Sequence, residues 1–249
     1  MRKIIGSDYD GTLNHGGIGE EKRNAIEKWR KAGNIFSVIS GRCVTELLEL
    51  YREKQFGCDY LIAANGAVIL KPDGEIITET RCNADLVKPL IELLFENGCD
   101  FAHVQSDVHF KVFSDKEKAE ENGGCTIDEM PEIDYFYQVS TMLETADEAE
   151  AVTAVATEKF SEFLNPLQNG RCIDIVRYDM NKAKGLYMLA AMVGAEYENI
   201  IAVGDNINDL DMIREFTSYA MANGVDSVKK EADFITDGIT ELIEKELQQ

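Results

Sequence analysis

Histidine is scarce: His15, His103 and His109 are the only three in 249 residues. None has the spacing of a zinc ligand pair, and so thin a supply makes histidine-centred triad chemistry unattractive. Positive charge is also short, with 25 basic against 46 acidic residues and a formal net charge of −21. A surface this acidic repels nucleic acid and anionic lipid, which excludes both as general partners. It also means that an anionic substrate must be held by local cations, a metal ion or backbone N–H groups. No apolar run is long enough to span a bilayer. The start of the chain is too short in apolar residues for a signal peptide, so a cytoplasmic location is expected. The six cysteines, at 43, 58, 82, 99, 125 and 172, contain no C-x-x-C pair. They read as reduced thiols, mostly small core residues.

What the chain does have is apolar content of 45%, enough for a sizeable globular core. Short apolar runs alternate with amphipathic segments over the first eighty or so residues. Strands are expected at Ile4–Ser7, Phe36–Ile39 and Tyr60–Ala63, with helices at Glu20–Lys31 and Val44–Glu53. Such alternation implies a buried parallel sheet. From Asn83 the texture changes to hairpins plus helices, an α+β pattern. At Asn181 the first texture returns, with a helix Lys182–Val193, a strand Ile200–Val203 and a helix Leu210–Glu215. The expected fold is α/β: a Rossmann-like core with a parallel sheet, built from residues 1–81 and 182–249, and an inserted α+β cap at 82–181.

The first core strand runs into Asp8-Tyr9-Asp10-Gly11-Thr12. Residues i and i+2 of an extended segment point to one side, so Asp8 and Asp10 face one pocket. Alone, such a pair suits an Asx turn with Gly11 supplying the special backbone angle. A second acidic run, Gly204-Asp205-Asn206-Ile207-Asn208-Asp209, follows a late strand. Sites in open parallel sheets form at the carboxyl ends of strands. If these strands are neighbours, Asp8, Asp10, Ser40, Asp205 and Asp209 converge. Several carboxylates in one crevice require a hard cation, and an all-oxygen set points to magnesium.

Together these motifs resemble the haloacid dehalogenase superfamily of phosphatases, in particular its Cof-type, cap-class-IIB branch. Asp8 to Thr12 fits the D-x-D-G-T motif. Val38-Ile39-Ser40 fits the strand ending in a hydroxyl residue, continued by Gly41-Arg42. Gly204 to Asp209 fits G-D-x-x-N-D, and Asn65-Gly66-Ala67 and Ala220 to Gly224 fit two lesser features. Lys182 and Lys184 both open a helix, and the Lys184-Gly185 pair favours Lys184 as the motif lysine. The resemblance covers the core and is weak across the inserted segment.

The resemblance implies a Mg2+-dependent phosphomonoester hydrolase acting on small phosphorylated metabolites: sugar phosphates, nucleotides or pyridoxal phosphate. Asp8 would be the nucleophile and Asp10 the acid/base. Asp8, the main-chain carbonyl of Asp10 and Asp205 would hold the metal, with Asn208 and Asp209 orienting that shell. Ser40, Gly41 and Lys184 would bind the phosphoryl group. Arg42 and Asn65 are possible substrate contacts. The alternatives are a sugar phosphomutase of the same superfamily and a non-enzymatic metabolite-binding protein. In the inserted segment, His103, His109, Lys111, Asn169, Arg171 and Asp174 are candidate readers of the leaving group. The glycine-rich Asn14-His15-Gly16-Gly17 reads as a mobile loop. The sequence does not indicate an oligomeric state.

Overall fold

The computed structural model describes residues 2–248. The chain forms two compact units, 1–78 with 181–249, and 79–180. The sequence reading put these boundaries at 81/82 and 181/182. In chain order the first part carries β1 (Ile4–Asp8), α1 (Glu20–Lys31), β2 (Ile35–Ile39), α2 (Val44–Lys54), β3 (Tyr60–Ala63), β4 (Val68–Leu70) and β5 (Ile76–Glu79). The insert carries β6 (Cys82–Asn83), α3 (Val87–Glu96), β7 (Phe101–Gln105), β8 (His109–Phe113) and α4 (Lys116–Asn122). It continues through β9 (Tyr135–Phe136), β10 (Gln138–Met142), α5 (Ala146–Phe160), β11 (Leu164–Asn169) and β12 (Cys172–Arg177). The chain then returns through α6 (Lys182–Val193), β13 (Ile200–Gly204), α7 (Leu210–Glu215), β14 (Thr217–Met221), α8 (Asp226–Glu231), β15 (Phe234–Thr236) and α9 (Ile239–Glu246).

The larger unit is built on one sheet of strand order β15-β14-β13-β1-β2-β3-β4-β5. From β15 to β3 every pairing is parallel, and β4 turns back antiparallel on β3. Strands β1, β2 and β13 are buried along their whole length, as apolar runs covered on both faces must be. Ile4, Ile35, Ile39, Ile62 and Ile200 pack with Leu186 and Leu189 of α6 and Met212 of α7. Strand periodicity sends Ile5, Phe36 and Val38 to the other face. Proceeding along the chain, the sheet grows from β1 towards β2 on one side and later towards β13 on the other. Strand β1 is therefore the topological switch point, where open α/β sheets form a crevice.

The smaller unit is a five-stranded sheet of order β11-β12-β10-β7-β8, antiparallel throughout, with a small β6–β9 ladder beside it. Residues of α3 and α5, including Leu90, Leu94, Val152 and Ala156, share a core with Ala102, Val104, Val139, Ile173 and Ile175 of the sheet. This unit thus has a core of its own.

Some elements escaped the sequence reading for physical reasons. Strand β11, Leu164–Asn169, is half polar and contains Pro166. It lies at the sheet edge, where a missing N–H is tolerated. Helix α4 has no apolar stripe and is held by its ends: Asp115 accepts from the N–H groups of Glu117 and Lys118, and Gly123 closes it at φ 66°. The Asn14–Gly17 loop is laced in place by Lys22, whose ammonium donates to the carbonyls of Leu13, His15 and Gly17. All six cysteines are free thiols.

Helix α6 approaches the turn after β3 unusually closely. A Cβ on Gly185 would lie 2.5 Å from Gly66 Cα, and one on Gly66 would collide with the Asn181 carbonyl. Glycine at both positions lets α6 reach the strand ends. Gly185→Ala is expected to cost about 1–3 kcal/mol through overpacking, measured by denaturant unfolding. A loss below about 0.5 kcal/mol would show that the contact yields without strain.

Candidate active site

Four adjacent parallel strand ends, β13, β1, β2 and β3, carry the site. Asp8 closes β1, Ser40 follows β2, the Ala64–Gly66 turn follows β3, and Asp205 follows β13. After Asp8 the chain makes a single irregular wide turn, Tyr9–Leu13, in which Gly11 sits at φ 83°. A Cβ on Gly11 would run into the Asp205 carboxylate, so only glycine lets the two loops come this close. Tyr9 points into the core, where its ring centroid lies 5.7 Å from that of Phe56.

The centre of the site is an ion-paired triad. Lys182 Nζ lies 2.7 Å from Asp8 Oδ1 and 2.6 Å from Asp209 Oδ1. Lys182 is 1% exposed, Asp8 5% and Asp209 0%. Burial alone would lower the ammonium's pKa, but Asp209 and Asp8 outweigh it and push it up, so the charge is kept. Burial raises the Asp8 carboxyl, Lys182 opposes that, and the Asp209 and Asp205 charges add to it. The Asp205 carboxyl is likewise raised by burial, against a hydrogen bond from Thr12 Oγ1 at 2.7 Å.

Asp209 has three of its four lone pairs engaged. Its Oδ2 accepts from the N–H groups of Asp205 and Asn206 at 2.9 and 3.1 Å, while Oδ1 takes Lys182. Asp8, Asp205 and Asp209 each offer an oxygen within 4.8 Å of the others. Among the described residues, none donates a hydrogen bond to Asp8 Oδ2 or Asp205 Oδ2. Those two atoms, with the remaining lone pair of Asp209 Oδ1, are the ones that could take a cation. A set of carboxylate oxygens with no thiolate or imidazole fits a hard divalent ion.

The lysine expectation is corrected here. Lys182, and not Lys184, reaches the acids. Lys184 is exposed, with its ammonium 5.7 Å from the Tyr187 ring centroid. The reason is helical phase: Lys182 shares a stripe with buried Leu186 and Leu189, and two residues on, a helix has turned by about 200°. Asn181 anchors the start of α6 by accepting from the Lys184 N–H and donating to Asp211.

Other residues fall as follows. Ser40 is buried, and its Oγ accepts from the Arg42 N–H at 3.2 Å. Gly41 lies half-buried in the bend between them. Asp10 is exposed and held by both arms of the Arg42 guanidinium, at 2.8 and 2.9 Å. Asn65 is 1% exposed and has left-handed backbone angles (φ 50°), as does Ala64 (φ 49°). Their N–H groups bond to the carbonyls of Ser40 and Arg42, so this strained turn braces the Ser40 loop. That is a turn residue's position. Asn208 is half-buried, and the cap of its turn is Asn206. Thr12, Asn181, Asn206 and Asn223, which donates to the Gly11 carbonyl, are positioning residues the sequence reading did not single out.

In the smaller unit Asp174, Ser140, His103 and Lys111 stand side by side across β12, β10, β7 and β8. They lie on the face opposite the apolar core, as strand alternation requires. His109 lies in the next row, opposite Gln105.

A family model described as haloacid dehalogenase-like hydrolase matches residues 5–241, and the chain belongs to that family. Among curated proteins it is 27% identical over 239 residues to 5-amino-6-(5-phospho-D-ribitylamino)uracil phosphatase YcsE of Bacillus subtilis (strain 168), covering 94% of this chain and 90% of that one. It is 24% identical over 251 residues to phosphoglycolate phosphatase of Methanobrevibacter smithii, covering 97% of each. Among solved structures, SMU.1108c from Streptococcus mutans UA159 shares the fold with a TM-score of 0.83 at 20% identity, over 100% of both chains. A haloacid dehalogenase-like hydrolase from B. subtilis does so with a TM-score of 0.81 at 18% identity, over 97% of this chain and 99% of that one.

The two lysines are separable by substitution. Lys182→Met leaves Asp8 and Asp209 buried without their cation and is expected to lose about 3–5 kcal/mol of stability. Lys184→Met, on the surface, is expected to stay within about 0.5 kcal/mol. Chemical unfolding of both variants reads this directly, and equal losses would contradict the assignment.

Proposed function

We propose that this chain is a phosphomonoester hydrolase that works through an aspartyl-phosphate on Asp8. The observation that supports this best is the buried Lys182 cation against Asp8, at the switch point of the sheet and beside Asp205 and Ser40. A carboxylate held by a lysine, with one oxygen left open, is suited to attack an electrophile whose own charge must be neutralised. The family match and the phosphatase names of the relatives point the same way.

In the first half-reaction an Asp8 oxygen bonds to phosphorus while the bond from phosphorus to the leaving oxygen breaks. Asp10 gives its proton to that oxygen. In the second half, Asp10 takes a proton from water as the water oxygen bonds to phosphorus. The Asp8–phosphorus bond breaks and inorganic phosphate leaves. Lys182 takes the role first given to Lys184. With Ser40, Gly41 and the backbone N–H groups after Asp8, it binds the phosphoryl oxygens. Asp8, Asp205 and the Asp10 carbonyl would hold Mg2+, which when bound offsets charge repulsion between nucleophile and phosphate. Asp209 and Asn208 orient the ligands. The 79–180 unit is proposed as the inserted cap. Cytoplasmic residence suits a chain with six free thiols. Among the described residues no helix is long and apolar enough to cross a membrane.

Substrates are proposed among small phosphorylated metabolites. Phosphate release should be measured over sugar phosphates, nucleotides, pyridoxal phosphate, phosphoglycolate and ribityl phosphates, with and without Mg2+. Turnover is expected for at least one substrate class, dependent on Mg2+ and abolished by Asp8→Asn. Absence of release from every substrate would sink the proposal in favour of a mutase or binding protein. Metal binding has its own readout: Mg2+ at about 100 times its Kd is expected to stabilise the wild type by about 2.7 kcal/mol. Asp205→Asn should remove that shift in thermal melting, and a shift that survives it would place the ion elsewhere.

A further inference from the structure

Arg42 does not stand free to meet a substrate. Its Nε and Nη2 donate to Asp10 Oδ2 and Oδ1 at 2.8 and 2.9 Å, a two-pronged fit of guanidinium to carboxylate. The Arg42 side chain is 39% exposed and that of Asp10 54%. An ion pair so open to water contributes little to stability, so holding the fold together is a poor account of it. The backbone beneath Arg42 is nonetheless firmly fixed. Its N–H donates to Ser40 Oγ, its carbonyl accepts from the Ala64 N–H at 2.9 Å, and Cys43 caps the helix that follows. Asp10 itself stands in a stretch of irregular backbone (φ −80°, ψ 119°) next to Gly11, where nothing in regular secondary structure sets its direction.

The geometry points to Arg42 as the positioning residue of Asp10: its fork sets the rotation of the carboxylate from the neighbouring strand end. The fork takes one lone pair on each oxygen and leaves the others for proton exchange. This inference rests on the reading of Asp10 as the acid/base of phosphate transfer. It differs from a substrate contact, because Arg42 then acts on proton transfer and not on capture of the phosphate.

The two half-reactions separate these roles. An aryl phosphate such as para-nitrophenyl phosphate has a leaving group that departs without a proton. Asp8 attack on it still proceeds when Asp10 is misaligned, whereas hydrolysis of the aspartyl-phosphate still needs Asp10 to take a proton from water. Rapid-mixing kinetics should compare the Mg2+-loaded wild type with Arg42→Gln and Arg42→Lys. Both variants are expected to release a burst of nitrophenolate equal to the enzyme concentration. A steady state about 10²- to 10³-fold slower than wild type should follow, with KM little changed. Lysine keeps the charge but not the fork, so it should not rescue. Turnover of an alkyl phosphate should fall for both variants without any burst. Three results would overturn the inference: burst and steady state lost together, a loss confined to KM, or full rescue by lysine. A wild type inactive on every phosphate would instead overturn the underlying phosphatase reading, and this inference with it. Melting curves of the variants within a few degrees of wild type exclude misfolding as the cause.

Discussion

One buried ammonium organises the catalytic unit. Lys182 is enclosed at the end of the sheet with Asp8 and Asp209 each within 2.7 Å. Those two carboxyl groups, with Asp205 offering an oxygen within 4.8 Å of each, cannot all stay ionised in an apolar setting without compensating charge. Much of the surrounding sequence serves to deliver that charge. Gly66 and Gly185 allow α6 to close on the turn after β3, and Asn181 fixes its first turn. The Asp205 and Asn206 N–H groups hold the far side of Asp209. With three of the four lone pairs of Asp209 engaged, most of the open valences fall to Asp8 and Asp205, the pair at the ends of neighbouring strands β1 and β13.

The site is built on rigid elements. Parallel strands buried on both faces set the spacing of Asp8, Ser40 and Asp205 within a continuous ladder. Short turns braced by hydrogen bonds add the rest, and their strained backbone at Ala64 and Asn65 is tied to the Ser40 loop. Strain of this kind persists only where neighbouring bonds over-determine it. Here the bonds join the ends of β2 and β3. The 79–180 unit has its own apolar core, which leaves the opposite face of its sheet to polar residues such as Asp174, Ser140, His103 and Lys111.

Much of this was legible in the sequence, because it depends on local pattern. Apolar runs ending in Asp8, Ser40 and Asp205 mark buried parallel strands and place polar residues at their carboxyl ends. The placement of α1, α2, α6 and α7 follows equally from the alternation of apolar runs with amphipathic segments. What was not legible depends on phase or on distance. The lysine was chosen from its adjacency to Gly185, whereas the stripe Lys182, Leu186, Leu189 carried the better signal. Small residues at 66 and 185 then acquire a different meaning: they mark helix contact, not a motif lysine. Strand β11 was hidden by Pro166 and its polar composition. The Asp10–Arg42 pair joins residues 32 apart on different strand ends, and no local pattern announces it.

The charge balance of the site bears on how an acidic protein could take up an anion. Asp8, Asp10, Asp205 and Asp209 carry four negative charges when ionised, and Lys182 and Arg42 return two positive ones. Neither cation is uncommitted: Lys182 is shared by two carboxylates and Arg42 is matched to Asp10. The polypeptide alone therefore presents two net negative charges to a phosphate, within a chain whose formal net charge is −21. Coulomb repulsion in a partly buried site is far less screened than in bulk water. A divalent cation held by these acids would bring the six side chains to neutrality. It would also attract a phosphoryl oxygen, beside the one N–H that Lys182 has left to donate. Such a cation would serve phosphate binding as well as activation of the nucleophile. The excess acid elsewhere on the surface is tolerable because capture is local and short-ranged.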